Sequence, residues 1–405
     1  MNVNSIFFEN KEGQKLSARL ELPADRKPQN FALFAHCFTC NKNFSAIRNI
    51  SRALTSKGFG VLRFDFTGLG ESEGNFADTN FSGNIEDLIA AAEFLDKNHM
   101  APALLVGHSL GGAAVIYAGS LLDSVRAVAT IGAPGDPEHL KHLFTSLQDD
   151  FESSGFANVS IGGRIFKIKK QFIDDLEARD MSEVLKKSKN ALLVAHSPQD
   201  NIVGIDHASK IFKAARHPKS FVSLDNADHL LSNREDSLYI GGVIAQWAQR
   251  YINIPDEKKP ETELQVVASL PDSEKFTTQI KAGKHFLVAD EPESIGGNNF
   301  GPSPYELVSS ALAACTAMTI RMYADRKEWP IEEVNVHIKH SKIHADDCNT
   351  CESSNASKID KFLRVIEIKG DLDASQRKRL MEIADKCPVH RSLHSEIQIE
   401  SIIKE

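Results

Sequence analysis

Short apolar runs separated by amphipathic stretches fill the first 250 or so positions. Residues 31–35 (FALFA), 60–64 (GVLRF), 103–106 (ALLV), 125–131 and 191–195 (ALLVA) have the pattern of strands buried on both faces. Between them, 44–56 and 85–98 space their apolar residues three and four apart, which predicts amphipathic helices. Residues 5–9 and 16–22 are strand-like on either side of Asn10-Lys11-Glu12-Gly13, a turn signal, and predict a hairpin. Short strands alternating with helices predict a mostly parallel sheet with helices on both faces. The stretch 136–188 breaks this rhythm. It is charged, helical in pattern and holds Gly162-Gly163, and it predicts a helical lid inserted over the sheet. Its basic run at 164–170 reads as a solvated face.

The pattern changes after Tyr251. Residues 253–261 (NIPDEKKPE) are polar with two prolines and read as a linker. Strand-like pieces follow at 264–270, 275–280 and 285–289, then a long apolar helix at 304–327. Strands at 334–338 and 362–368, a helix at 374–386 and a last strand at 396–402 complete the pattern. Strands at both ends with two helices between predict an α+β unit. The chain thus reads as a 1–252 unit, a 253–261 linker and a 262–405 unit of unlike fold. Its 405 residues, at about 150 per domain, allow two to three domains.

Composition narrows the partners. A 41% hydrophobic, 25% charged chain is not collagen-like, low-complexity or wholly disordered. The net charge of −8 gives no support for a nucleic-acid or anionic-membrane surface. There is no basic n-region before an apolar core, and no uninterrupted apolar run approaches the ~20 residues of a span. These features predict a soluble cytoplasmic protein with reduced thiols, no nucleic-acid partner and no membrane partner. The six cysteines, at 37, 40, 315, 348, 351 and 387, are too few for a disulfide scaffold and cluster unevenly.

Gly107-His108-Ser109-Leu110-Gly111 follows the 103–106 strand directly and precedes a helix-like run at 113–119. This is G-x-S-x-G in strand–turn–helix context, where small residues permit a tight turn that projects the Ser109 hydroxyl. The turn also puts the Leu110 N–H at a helix N-terminus, facing a developing oxyanion. A serine hydroxyl needs a base, and His229 follows the strand 220–224. Asp200, just after the 191–195 strand, is the acid that would orient it, with Asp225 and Asp228 as alternatives. His108 reads as a packed turn residue.

At these residues the first 252 positions resemble an α/β-hydrolase of the serine-peptidase and esterase-like group. Asp65-Phe66-Thr67-Gly68-Leu69-Gly70-Glu71-Ser72 is similar to that family's loop after its fourth strand. His36 matches its oxyanion-loop His-Gly, with Cys37 in place of the glycine. The resemblance implies that the N–H of Cys37 or Phe38 pairs with that of Leu110 as an oxyanion hole.

In the second unit, Ser303-Pro304-Tyr305-Glu306 reads as an N-cap, an N1 proline and a capping-box glutamate. Cys315 lies about three turns further, and by itself reads as a small core residue. A second cysteine stands in Asp385-Lys386-Cys387-Pro388-Val389-His390. Together the two stretches resemble the OsmC/Ohr family of thiol-dependent hydroperoxide reductases, over about 262–405. That resemblance implies Cys315 as peroxidatic thiol, Cys387 as resolving thiol, an external dithiol reductant and an intertwined homodimer. Such chemistry needs a lowered thiol pKa. Cys315 is too far from its helix N-terminus for the dipole to supply it, so a cation must come from elsewhere. Better-understood members carry an Arg in the N-terminal strand region and a Glu ten residues before the cysteine. Here Tyr305 holds the Glu position, Glu306 is one residue along, and Lys284-His285 stands near where the Arg would be.

Two more cysteine pairs are visible. His344 with Cys348 and Cys351 offers three of the four ligands of a zinc site without a completing pair, and reads as a loop thiol pair. Cys37-Phe38-Thr39-Cys40 has thioredoxin-like spacing, but the hydrolase motifs account for it better. The expectation is a bifunctional enzyme with no resident metal or cofactor: a serine hydrolase on ester or acyl bonds, and a reductase of organic hydroperoxides. A hydrolase with a non-catalytic dimerisation module, and a peroxidase with a non-catalytic hydrolase fold, are the alternatives.

Overall fold

The doubly buried apolar runs form the centre of an eight-stranded sheet. The computed structural model describes residues 2–37, 40–135, 155–161, 164–252, 259–272, 274–344 and 358–403. It divides into two units, Met1–Glu257 and Lys258–Glu405.

The first unit runs β1 (Asn2–Glu9), β2 (Lys15–Leu22), β3 (Asn30–Ala35), α1 (Ser45–Thr55), β4 (Phe59–Phe64), α2 (Phe81–Asn98), β5 (Pro102–His108), α3 (Leu110–Leu121) and β6 (Ala127–Ile131). It continues with β7 (Phe156–Ile161), β8 (Arg164–Lys169), α4 (Lys170–Glu177), α5 (Met181–Lys187), β9 (Ala191–His196), α6 (Ile205–Ala214), β10 (Lys219–Ser223) and α7 (Arg234–Ala248). The strand order is β1-β2-β4-β3-β5-β6-β9-β10. Only the β1–β2 and β2–β4 pairs are antiparallel; the rest are parallel. The two-residue period of a strand sends Leu33 and Leu105 to one face, against Leu88 of α2 and Val115 of α3. It sends Phe34, Leu104 and Val106 to the other, against Ile47 and Ile50 of α1 and Ile244 of α7. Burial on both faces is why these runs are apolar throughout rather than alternating.

The insertion differs from the helical lid that the sequence predicted. Its described part opens with the antiparallel β7–β8 hairpin and only then turns helical in α4 and α5. Of the basic 164–170 run, Arg164–Lys169 is a strand of that hairpin, with Ile168 buried and Lys169 paired to Asp78, and Lys170 opens α4. Alternation in a short strand is easily mistaken for charged helix when few residues sample the period. Residues 136–154 with Gly162 and Gly163 lie outside the described residues.

The second unit contains the antiparallel meander β11 (Val266–Ser269), β12 (Thr278–Ala282) and β13 (His285–Ala289), then α8 (Pro304–Arg326). The long hairpin β14 (Ile331–His344) and β15 (Lys358–Gly370) follows, then α9 (Ala374–Ala384) and α10 (Pro388–Leu393). The Ser303–Glu306 capping box is formed, with Pro304 at N1. Helix α8 buries Leu312, Thr316, Ile320 and Ala324, a stripe at four-residue spacing. Ile320 and Ala324 pack with Leu380 and Ala384 of α9 and Ile331 of β14. Helix α8 is long and apolar enough to cross a membrane by length and composition alone.

Two expectations fail here. Residues 396–402 are not a strand: they are exposed and unpaired in any described sheet. Their alternating pattern fits a strand, but they pair with neither described sheet of this unit. The short helix α10 was not predicted, because Pro388 after Cys387 reads as a breaker until its place at N1 is known.

Candidate active site

Ser109 stands between β5 and α3 with φ 55° and ψ −127°, a backbone conformation disfavoured for a side chain bearing a Cβ. The close approach of β5 to α3 makes this turn possible. A Cβ at Gly107 would lie 2.3 Å from the Gly111 carbonyl oxygen, and one at Gly111 2.5 Å from the Ala35 and His36 carbonyl oxygens. The start of α3 is thereby pressed against the end of β3, which brings Leu110 beside the loop that begins at His36.

His229, in the loop after β10, presents Nε2 3.0 Å from Ser109 Oγ. Its Nδ1–H donates to Asp200 Oδ2 at 2.7 Å. A carboxylate only accepts, so this contact fixes the tautomer and leaves Nε2 to take the serine proton. Asp200 is itself held: its Oδ1 accepts the backbone N–H groups of Ile202 and Val203 at 2.8 and 2.9 Å. Burial pushes the Asp200 carboxyl up, but the hydrogen bonds from His229 and these amides outweigh it and hold it below the usual carboxylate range. The alternatives are turned elsewhere. Asp225 accepts from Ser223 Oγ at 2.5 Å and Asp228 from the Ser232 amide at 2.8 Å.

His108 does more than pack. Its Nε2–H donates to the His229 carbonyl at 2.6 Å, and its ring lies 5.1 Å from the His229 ring. Burial pushes its pKa down to about 3, so it stays neutral and serves as a fixed donor under the loop that carries the base. No sequence signal distinguishes that role from ordinary turn packing.

On the other side of Ser109, the loop from His36 is stiffly held. His36 Nδ1–H donates to the Cys37 carbonyl at 2.6 Å. Lys42, 1% exposed, donates from its backbone N–H and from Nζ to the buried Asp65, at 2.6 and 2.5 Å, and from Nζ to Glu71 at 2.7 Å. Arg63 donates to the Lys42 carbonyl. The sequence pointed to Asp65 only as part of a loop motif; Lys42 carried no signal of burial.

Cys37 and Cys40 form a disulfide, a correction to the reduced thiols expected from sequence. A tight turn, closed by the Cys40 N–H on the Cys37 carbonyl at 3.1 Å, brings their Cα atoms to 5.2 Å, within disulfide range. Their sulfurs and a His108 ring nitrogen lie within 4.8 Å of one another, but a disulfide offers no thiolate ligand. Phe38 lies outside the described residues.

In the second unit, Cys315 on α8 and Cys387 at the N-cap of α10 are neighbours, each shifting the other's thiol. Cys387 is fully buried; its Sγ accepts the His390 N–H at 3.4 Å and the Thr316 hydroxyl at 3.7 Å. Burial pushes both thiols up. At Cys387 the His390 amide, Cys315 and Thr316 outweigh it and bring the thiol below its ordinary value. At Cys315 burial prevails, reinforced by its partner, and the thiol lies above it. Lys284 lies in the β12–β13 turn, His285 opens β13, and Glu306 is occupied at the cap by the Ser303 N–H and hydroxyl. Among the described residues, Arg364 on β15 brings a cation to this site, bonded to Thr316. A lone Arg on an alternating strand gave no sequence signal. Cys348 and Cys351 lie outside the described residues.

Known proteins resemble this chain in two blocks. Residues 30–145 match the family described as serine aminopeptidase, S33, and residues 296–401 match OsmC-like protein. The solved esterase domain of a Rhodothermus marinus protein is 52% identical, covering 62% of this chain and 99% of that one, with a TM-score of 0.53. Est1E of Butyrivibrio proteoclasticus, solved with ferulic acid, shares the fold at 19% identity and a TM-score of 0.54, over 61% of this chain and 98% of its own. The YfhR protein of Escherichia coli O157:H7 is 23% identical over 243 residues, 59% of this chain and 78% of that protein. With a nucleophile turn on a mostly parallel sheet and that degree of identity, the chain belongs to the α/β-hydrolase family, its hydrolase unit followed by an OsmC-like domain.

Proposed function

We propose that the first unit hydrolyses ester or related acyl bonds through Ser109, His229 and Asp200. The observation that carries this is the continuous hydrogen-bonded line from Ser109 Oγ through His229 to Asp200, at 3.0 and 2.7 Å. His229 Nε2 takes the Ser109 proton as Oγ attacks the carbonyl carbon. The resulting oxyanion is received by the Leu110 N–H at the start of α3, with the N–H of Cys37 or Phe38 as its second donor. His229 then returns the proton to the leaving group, and water releases the acyl group from Ser109 by the same route. The 52% identity to an esterase domain supports esters as the substrate class.

For the second unit the reading is reduction of small organic hydroperoxides by Cys315 and Cys387, with the resulting disulfide reopened by an external dithiol. The neighbouring thiols of Cys315 and Cys387, each shifting the other, support it. The second unit is read as dimeric. Of α8, the exposed Val308, Met318 and Met322 form an apolar face, and Leu363 and Val365 of β15 are likewise exposed. A second copy covering this face supplies the burial that the isolated chain lacks.

Labelling the full chain with a fluorophosphonate probe tests the first reading. The wild type should label and Ser109→Ala should not; a folded wild type that fails to label refutes it. Consumption of an alkyl hydroperoxide with a dithiol reductant tests the second. Turnover unchanged in Cys315→Ser refutes it.

A further inference from the structure

The thiol pair has an asymmetric electrostatic setting. Arg364 reaches from β15 with its side chain 12% exposed. Its Nη1 donates to Thr316 Oγ1 and to the Ala384 carbonyl, both at 3.1 Å, and its Nη2 pairs with Asp385. Thr316 is fully buried. A hydroxyl has one hydrogen to give. With the guanidinium donating to Thr316 Oγ1, that hydrogen is directed to Cys387 Sγ, 3.7 Å away. Cys315, the preceding residue of α8, lies beside a different hydroxyl, that of Thr319, which donates to the Cys315 carbonyl at 2.7 Å.

We propose that Arg364, acting through the Thr316 hydroxyl, is a positioning residue that favours the anion of Cys387 once Cys315 has been oxidised, and so makes Cys387 the resolving nucleophile. The proposal rests on the hydroperoxide reading above and adds the group that drives its second step. In the first step Cys315 sulfur takes the terminal oxygen of ROOH. The O–O bond breaks, an S–O bond forms, ROH departs with a proton, and Cys315 becomes a sulfenic acid. In the second, the Cys387 thiolate attacks Cys315 Sγ. An S–S bond forms, the S–O bond breaks, and hydroxide leaves and takes a proton to become water. A neutral Cys387 thiol would be a poor attacker in this step. The guanidinium stays charged at any working pH, so through Thr316 it supplies a permanent bias toward the anion. The other charged or titratable groups around Cys387 are Cys315 on α8, Asp385 and Lys386 at the end of α9, and His390 and Arg391 on α10. Asp385 is bound to Arg364, and burial with the nearby Arg364 charge holds His390 below the usual histidine range.

The test uses full-length protein and tert-butyl hydroperoxide, with Cys315 sulfenic acid trapped by dimedone and disulfide read by intact mass. In Arg364→Met and in the near-isosteric Thr316→Val, disulfide formation at pH 7 should slow about tenfold, the worth of one hydrogen bond to a charged group. Trapped sulfenic acid should rise correspondingly. Raising the pH should restore the rate, because hydroxide does what Arg364 did; Arg364→Lys should recover part of it. In a Cys315→Ser background, the thiolate absorbance of Cys387 should titrate about one unit higher once Arg364 is removed. Wild-type disulfide rates in both variants overturn the proposal, as does slowing that high pH does not relieve. If the wild type forms no sulfenic acid at all, the hydroperoxide reading fails instead, and the Cys387 titration still decides the role of Arg364.

Discussion

Replacing Lys42 by Met should destabilise the hydrolase unit well beyond an ordinary surface change. The ammonium and the Asp65 carboxylate are 1% and 0% exposed and lie 2.5 Å apart. Removing one partner of such a pair leaves an uncompensated buried charge, typically at a cost of about 3–5 kcal/mol. Asp65 keeps the backbone N–H groups of Lys42 and Glu71, at 2.6 and 3.0 Å, which places the expected loss near the lower end, about 3 kcal/mol. Met conserves volume, so little of the loss comes from a cavity. For a unit of this size each kcal/mol moves the melting temperature by about 2–4 °C, so the midpoint should fall by about 6–12 °C. Heat inactivation of esterase activity, followed alongside calorimetry of the full chain, measures it. The double variant Lys42→Met with Asp65→Asn should regain a large part of the loss, because the orphaned charge is gone. At temperatures where Lys42→Met is still folded, kcat should fall with little change in KM, since the loop bearing Cys37 has lost an anchor. A Lys42→Met midpoint within 2 °C of wild type, or a double variant showing simple additivity, would refute the reasoning.

Asp200→Asn should lower kcat about ten-thousandfold with the fold intact, because an amide can present N–H to His229 Nδ1 and force the wrong tautomer; a loss under tenfold would remove Asp200 from the proposed triad. His108 is neutral in the folded chain down to about pH 3, whereas in the unfolded chain it protonates near 6.5. Between these values only the unfolded state binds the proton, so stability is full above pH 6.5 and falls as pH drops, by up to about 1.4 kcal/mol per pH unit. Urea midpoints from pH 7 to 4.5 should show this slope, flattened in His108→Gln; an unchanged slope in the variant contradicts it. Lys at both Met318 and Met322 should convert the dimer to a monomer in sedimentation equilibrium, and a wild type that sediments as a monomer at high concentration would end the dimer reading.

Local pattern was enough wherever the chemistry is local. The apolar runs at 31–35, 103–106 and 191–195 could only be doubly buried strands, and they became β3, β5 and β9. Gly107 and Gly111 announced the turn at Ser109 because a Cβ at either would collide with backbone. Ser303 and Glu306 announced the start of α8 because a cap is satisfied within four residues. Prediction failed where an element depends on a distant neighbour. Residues 396–402 alternate like a strand but pair with neither described sheet of this unit, and the β7–β8 hairpin was hidden in a charged run.

The same division holds at the two sites. The sequence alone offered Ser109 through its local motif, with Asp200 and His229 as partners in chain order, whereas Cys315 and Cys387 were singled out only by resemblance to a family. Only the tertiary structure chose Asp200 over Asp225 and Asp228, closed Cys37 onto Cys40, buried Lys42 on Asp65, turned His108 to the His229 carbonyl and brought Arg364 to Thr316. Lys42 and Asp65 are 23 positions apart, Arg364 and Thr316 48, and His108 and His229 121. Hydrogen bonds and ion pairs act over a few ångströms of space, and for charged side chains on ordinary strands and loops nothing in the local pattern reports which distant partner the fold will deliver.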